Sequence, residues 1–282
     1  MDRPSGFYKT GQNRVYHYAT AGDPSHPALL LLHGFTGSQA VWSPLADRLA
    51  DSFYLVMPDL PGHGQTFSSD QRPDMALETT VQDLLRLLGD LGVSSAGILG
   101  YSMGGRLALH FPLYGASRVR FLILESTTAG IVSPAGREER RQSDNDLAQR
   151  IETLGIEWFV DYWSNIPLLS GPAATPQQTA HRLHNTAQGL ARSLRAAGTG
   201  QQASLWPVLP YYAAPALIVA GERDKKFTEI AHRLHHALPD SRVEIVKEAG
   251  HTVHVENPDA FFQVVVSFLE QKAENTTQFR GE

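Results

Sequence analysis

The run ILGYSMGGRLALH (residues 98–110) sets a serine between glycines where an apolar stretch passes directly into a helical one. Within it Gly100-Tyr101-Ser102-Met103-Gly104 fits G-x-S-x-G, a pattern that carries weight only between a strand and a helix. So sharp a turn forces its central residue into a strained backbone conformation, and glycine at the flanks lets neighbouring backbone pass close. The Ser102 hydroxyl then stands above a sheet at the positive end of a helix, where developing negative charge is favoured. The plainer alternative is a serine in an ordinary turn. The catalytic reading requires a parallel sheet around Ser102, and a base and an acid downstream.

The sheet is legible. The runs ALLLLHGF (28–35), FYLVMPDL (53–60), AGILGYS (96–102), RFLILES (120–126), ALIVAGERD (216–224) and RVEIVKEAGH (242–251) are apolar throughout, as strands covered on both faces must be. FYKTG and RVYHYATAG form an opening hairpin. Helical periodicity lies between these runs at 41–50, 77–91, 104–114, 227–238 and 258–272, and this alternation predicts an α/β fold with right-handed crossovers. From 131 to 210 the patterns are helical only, so this stretch is expected to be a cap over one end of the sheet. The organisation that follows is a core of 1–130 and 211–272, a cap of 131–210, and a polar tail at 273–282 expected to fray.

Bulk properties narrow the function classes. A 282-residue chain with a formal net charge of −5 gives no reason to expect nucleic acid or an anionic membrane as partner. Having no cysteine, it has neither disulfides nor thiolate chemistry. The start, MDRPSGFYKTG, lacks the apolar centre of a secretory signal, and no run is long enough to cross a bilayer, so a cytoplasmic protein is expected.

The helpers of Ser102 should follow in the order acid, then histidine. Of twelve histidines, His251 comes directly after the last strand, and His254 is the nearby competitor. Asp224 ends the preceding strand, with Glu222 and Glu125 as the other acids in reach. The spacing His251-x-x-His254 also occurs in metal pairs, but no fitting carboxylate set accompanies it. The backbone N–H groups of Phe35, in LLHGFTG, and Met103 are positioned to form an oxyanion hole. His63, in DLPGHG, reads as structural.

Four residues past the serine stands Arg106. A surface arginine on that helix is the bland reading. If it points into the pocket, a permanent cation there is costly without an anionic partner, and the substrate should carry carboxylates. Residues 131–210 contain seven arginines and no lysine, and guanidinium matches carboxylate as a fork where ammonium does not. Seven acidic residues share the segment, so most of these arginines are expected in solvated pairs.

Taken together, the elbow, the HG loop, the PGHG turn, GERD and AGH resemble the α/β-hydrolase fold. That fold hosts esterases, C–C hydrolases, lyases and non-catalytic receptors, so it does not decide the reaction. More narrowly, GYSMGGRLALH, EERRQSD, FVDYW, GERDKKF and AGHTVHVENP are similar to the 2-succinyl-6-hydroxy-2,4-cyclohexadiene-1-carboxylate synthase (MenH) family of menaquinone and phylloquinone biosynthesis. Those enzymes are lyases that eliminate pyruvate from a tricarboxylate, without a cofactor or metal. The resemblance implies Ser102, Asp224 and His251 as the triad. It also implies carboxylate contacts from Arg106, Arg182 and either Arg140 or Arg141, and pocket walls from Tyr101 and Trp163. A serine carboxyesterase or C–C bond hydrolase acting through an acyl-enzyme remains the second reading, and a ligand receptor the third.

Overall fold

Leu29 and Leu31 pack on one side of the sheet and Leu30 and Leu32 on the other, and all four are fully buried. The run ALLLL therefore needs a layer of helices on each face. The computed structural model describes residues 3–11, 13–68, 74–166 and 175–278 and supplies both layers.

Among the described residues the strands are β1 (Ser5–Lys9), β2 (Arg14–Ala21), β3 (Ala28–Leu32), β4 (Tyr54–Pro58), β5 (Phe67–Ser68), β6 (Ala96–Tyr101), β7 (Val119–Glu125), β8 (Ala216–Gly221) and β9 (Ser241–Val246). They form one sheet in the order β1-β2-β4-β3-β6-β7-β8-β9, with β5 beside β2. The strands from β4 to β9 along this order are parallel, and β2 runs antiparallel to each neighbour.

The helices are α1 (Ser43–Leu49), α2 (Leu77–Asp90), α3 (Met103–Ala108), α4 (Phe111–Gly115), α5 (Pro134–Ser164), α6 (Pro176–Leu183), α7 (Ala187–Ala197), α8 (Lys225–Ala237), α9 (Val253–Glu256) and α10 (Pro258–Gln278). Leu84 of α2, Leu107 of α3 and Leu234 of α8 pack with Leu30 and Leu32. Leu45 of α1 and Phe261, Val265 and Phe268 of α10 pack with Leu29 and Leu31. Helices α5, α6 and α7 make the cap, whose own small core (Ala148, Ile151, Phe159, Leu190, Leu194) meets the sheet domain at Phe35. Among the described residues no helix is long and apolar enough to cross a membrane.

Three elements depart from the pattern reading. The single helix expected over 104–114 is two, because Pro112 has no N–H to donate and α4 restarts around it. The strand expected to run to residue 251 ends at Val246, and Glu248 takes a left-handed conformation (φ 57°) in the loop that follows. The tail expected to fray from 273 begins as helix, since α10 continues to Gln278, and 279–282 lie outside the described residues. Within the cap, α5 breaks at Gly155 (φ 87°), where the cap helix turns.

Candidate active site

At the end of β6 the chain reverses into α3 through Ser102, which holds φ 50° and ψ −104°. A side chain with a Cβ pays strain there, of the kind that persists only where surrounding structure enforces it. The enforcement is steric. A Cβ at Gly104 would overlap the Leu32 carbonyl, and one at Gly100 would overlap the Gly104 carbonyl, so the two glycines let the elbow press against β3.

Ser102 Oγ lies 3.1 Å from His251 Nε2, and His251 Nδ1 lies 2.7 Å from Asp224 Oδ2. The Asp224 carboxylate does two things. Its Oδ2 faces the imidazole, and its Oδ1 accepts from the Phe227 N–H at 3.1 Å as the N-cap of α8, which holds the acid in place. The loop carrying His251 is tied by Glu256, whose carboxylate accepts from Gly250 N–H (2.8 Å) and Thr252 N–H (3.1 Å). Glu256 was not singled out from sequence, where it is one acid in ENP.

The competing histidine and acid found each other. His254 Nδ1 sits 2.9 and 2.8 Å from the two Glu125 oxygens, and Trp42 lies against its ring. Each histidine of the H-x-x-H spacing therefore has its own carboxylate, and the described residues hold no cluster of three or more metal-ligating side chains. Glu222 is exposed and takes no part in either pair.

Phe35 and Met103 flank the serine in one cavity of about 210 Å³. Neither backbone N–H donates to a protein acceptor among the described residues, which leaves both available to an oxyanion. The Phe35 loop is positioned by His33, whose Nδ1 donates to the Gly34 carbonyl (2.8 Å) while Nε2 accepts from Leu60 N–H (2.9 Å). His63 is buried edge-on to His33 and Phe35 and donates to the Pro61 carbonyl. It lies outside the cavity lining, in keeping with a structural part.

Burial lowers both rings, His63 to about 3, with His33 adding to the effect on His63. In the folded state they stay neutral, while the unfolded chain takes up protons on both below about pH 6.5. The contribution of His63 is therefore full above that pH and falls as pH drops toward 3, by up to about 1.4 kcal/mol per unit, and His33 acts in the same direction. Thermal unfolding followed from pH 7 to 4 is expected to show this slope, and His63→Gln is expected to flatten it.

The cavity is lined by Arg106, Arg140, Arg182 and Lys226, and by no aspartate or glutamate among the described residues. Arg106 is buried and, among the described residues, donates only to neutral acceptors, the Ala197 carbonyl (2.8 Å) and Gln202 Oε1 (3.3 Å). Burial, helped by Arg140 and opposed by Asp144, pushes its guanidinium down to about 10, which leaves it charged at neutral pH. Arg182 is also buried, bonded to Ser164 Oγ at 2.9 Å, and burial lowers it as well. Tyr101 and Trp163 are walls: the Tyr101 hydroxyl meets Thr252 Oγ1 at 2.9 Å, and Trp163 packs on Phe35 and Phe159.

Of the two arginines left open in ERRQSD, Arg140 reaches the cavity and Arg141 does not. Adjacent helical positions point about 100° apart, and Arg141 pairs with Glu138 and donates to the Gly200 carbonyl. The abundance of cap arginine is a poor guide, because Arg195 pairs with Glu152, Arg150 stacks on Trp158, and Arg137 binds backbone carbonyls. Lys226, within GERDKKF, carries no sequence signal that separates it from Lys225, and its place in the lining depends on how α8 leaves β8.

A nucleophile elbow, an acid after β8, a histidine after β9 and two free N–H groups decide the family. The chain belongs to the alpha/beta hydrolase family, whose sequence pattern matches residues 29–264. Within this hydrolase family it is 41% identical over 259 residues to the "Putative 2-succinyl-6-hydroxy-2,4-cyclohexadiene-1-carboxylate synthase" of Bacillus subtilis, covering 90% of this chain and 94% of that one. It is 35% identical to the synthase of that name from Photorhabdus laumondii, covering 88% of this chain and 87% of that one. The solved structure of MenH from S. aureus superimposes with a TM-score of 0.86 at 34% identity, over 92% of this chain and 98% of that chain. The synthase resemblance and the hydrolase fold expected from sequence both hold.

Proposed function

We propose that the protein eliminates pyruvate from 2-succinyl-5-enolpyruvyl-6-hydroxy-3-cyclohexene-1-carboxylate, giving 2-succinyl-6-hydroxy-2,4-cyclohexadiene-1-carboxylate for menaquinone or phylloquinone biosynthesis. The observation that carries this reading is the cavity's charge. In a chain of net charge −5, the lining around Ser102 holds four cations and no carboxylate among the described residues. Three of the cations are guanidiniums, and the substrate has three carboxylates. A neutral ester would leave the buried Arg106 hydrogen-bonded to neutral acceptors, with only Asp144, already bound by Arg140, to offset its charge, an unfavourable state for a permanent cation. The relatives carrying the synthase name support the same reaction.

In the mechanism, His251 accepts the Ser102 hydroxyl proton as Ser102 Oγ takes the proton from the ring carbon beside the succinyl carbonyl. Asp224 keeps the imidazole oriented and stabilises its cationic form. Negative charge moves onto the carbonyl oxygen, facing the Phe35 and Met103 N–H groups. As the enolate collapses, a ring C=C forms and the C–O bond to the enolpyruvyl group breaks. The released enolpyruvate takes up a proton on carbon and becomes pyruvate. Arg106, Arg140 and Arg182 hold the carboxylates so that the acidic C–H stays within reach of Ser102. These steps draw on protein side chains and backbone N–H groups alone.

The test is a lactate dehydrogenase-coupled assay for pyruvate with the synthesised precursor, run beside a panel of neutral p-nitrophenyl esters. Fast pyruvate release with slow ester turnover is expected. Rapid ester hydrolysis with a burst of p-nitrophenol, and no pyruvate, would instead identify an acyl-enzyme hydrolase.

A further inference from the structure

One carboxylate stands directly behind the cationic cavity. Asp144, on α5, is buried, and its Oδ1 accepts from Arg140 Nε at 2.8 Å. Its Oδ2 is buried without a hydrogen-bond partner, against the backbone of Gly198. The charged groups facing it are Arg140, from its own helix, and Arg106, from α3. The α7 side contributes Leu194 and the Ala197–Gly198 backbone, while the neighbouring Gln202 is neutral, and Arg141 is turned toward Glu138. Arg140 and Arg106 both line the cavity, and Asp144 does not.

A buried carboxylate with one bare oxygen stays ionised only through the cations beside it. Burial already raises Asp144 above the usual carboxylate range, although Arg140 and Arg106 pull the other way. A substrate carboxylate docking on those two guanidiniums would divide their field and set a like charge close to Asp144, and like charges at one site raise the affinity for a proton.

We propose that Asp144 is a proton-coupled counter-ion: ionised against Arg106 and Arg140 in the empty cavity, and neutralised by a proton from solvent when a substrate carboxylate binds there. The inference rests on the reading of Arg106 and Arg140 as carboxylate sites. It makes Asp144 a positioning residue whose charge competes with substrate, so binding tightens as pH falls. Between the free and bound pKa of Asp144, KM rises with pH by up to about tenfold per unit.

The experiment measures KM and kcat for pyruvate release from about pH 6 to 8.5, where the substrate carboxylates remain ionised, in the unaltered protein, Asp144→Asn and Asp144→Ser. Asp144→Asn keeps an oxygen for Arg140 Nε and removes the charge. Its KM is expected to be about tenfold lower at the alkaline end and flat with pH, with the change falling on KM rather than kcat. Asp144→Ser, smaller and also uncharged, is expected to lose the pH slope too, and serves if the Asn variant does not fold. A KM slope unchanged by either substitution, in protein that folds and releases pyruvate, would overturn the proposal and leave Asp144 a structural salt-bridge partner. Failure of the unaltered protein to release pyruvate would instead overturn the lyase reading.

Discussion

Ser102→Ala is expected to slow pyruvate release by about 10⁴-fold or more while leaving the fold intact. The hydroxyl is the only group in the proposed mechanism that touches the carbon acid, and its 3.1 Å contact with His251 makes it basic at the moment of transfer. Rate and stability should separate at this position. Ser102 holds φ 50°, a strain of order 1–3 kcal/mol for a residue with a Cβ, so Ser102→Gly is expected to be equally inactive and yet to melt higher. Pyruvate assay and calorimetry on the two variants check both halves. A Ser102→Ala protein retaining near-native turnover would show that another base takes the proton.

Arg106→Leu carries the second large effect. Removing one partner of a desolvated charge pair typically costs about 2–5 kcal/mol, so kcat/KM is expected to fall by roughly 10²–10³-fold, mostly through KM. Stability should barely respond. Leucine relieves a buried cation whose hydrogen-bond partners among the described residues are neutral, but leaves the Ala197 carbonyl without its donor and takes one of two cations from Asp144, and these changes oppose each other. Tm is expected to stay within about 4 °C. Arg106→Lys should fall between, with charge kept and the planar fork lost. If Arg106→Leu leaves KM unchanged, the substrate's carboxylate does not bind at this end of the cavity.

Much of the site could be read from the chain because its parts are local. The elbow needs a strand, two glycines and a helix within about ten residues, and β6, Gly100, Gly104 and α3 are contiguous. Asp224 and His251 each follow an apolar run, so a parallel sheet brings both to the same edge as Ser102. The pairing of two acids with two histidines was not legible. Glu125 ends β7 and Asp224 follows β8, and His251 and His254 are three residues apart. Which acid meets which ring depends on β7 lying between β6 and β8, with β9 outside β8, a matter of strand order that no short stretch encodes.

Sequence by itself determined the layered α/β architecture and the elbow with its serine, since hydrophobic period and backbone sterics act over a few neighbouring residues. Only the tertiary structure decided that Arg140 and not Arg141 faces the cavity, that Lys226 joins the rim, and that Asp144 stands behind two guanidiniums. Those facts turn on the rotation of α5 and α8 about their axes. For α5 that rotation is set by what packs against it from more than fifty residues away, as Gly198 does at Asp144 and Gly200 at Arg141.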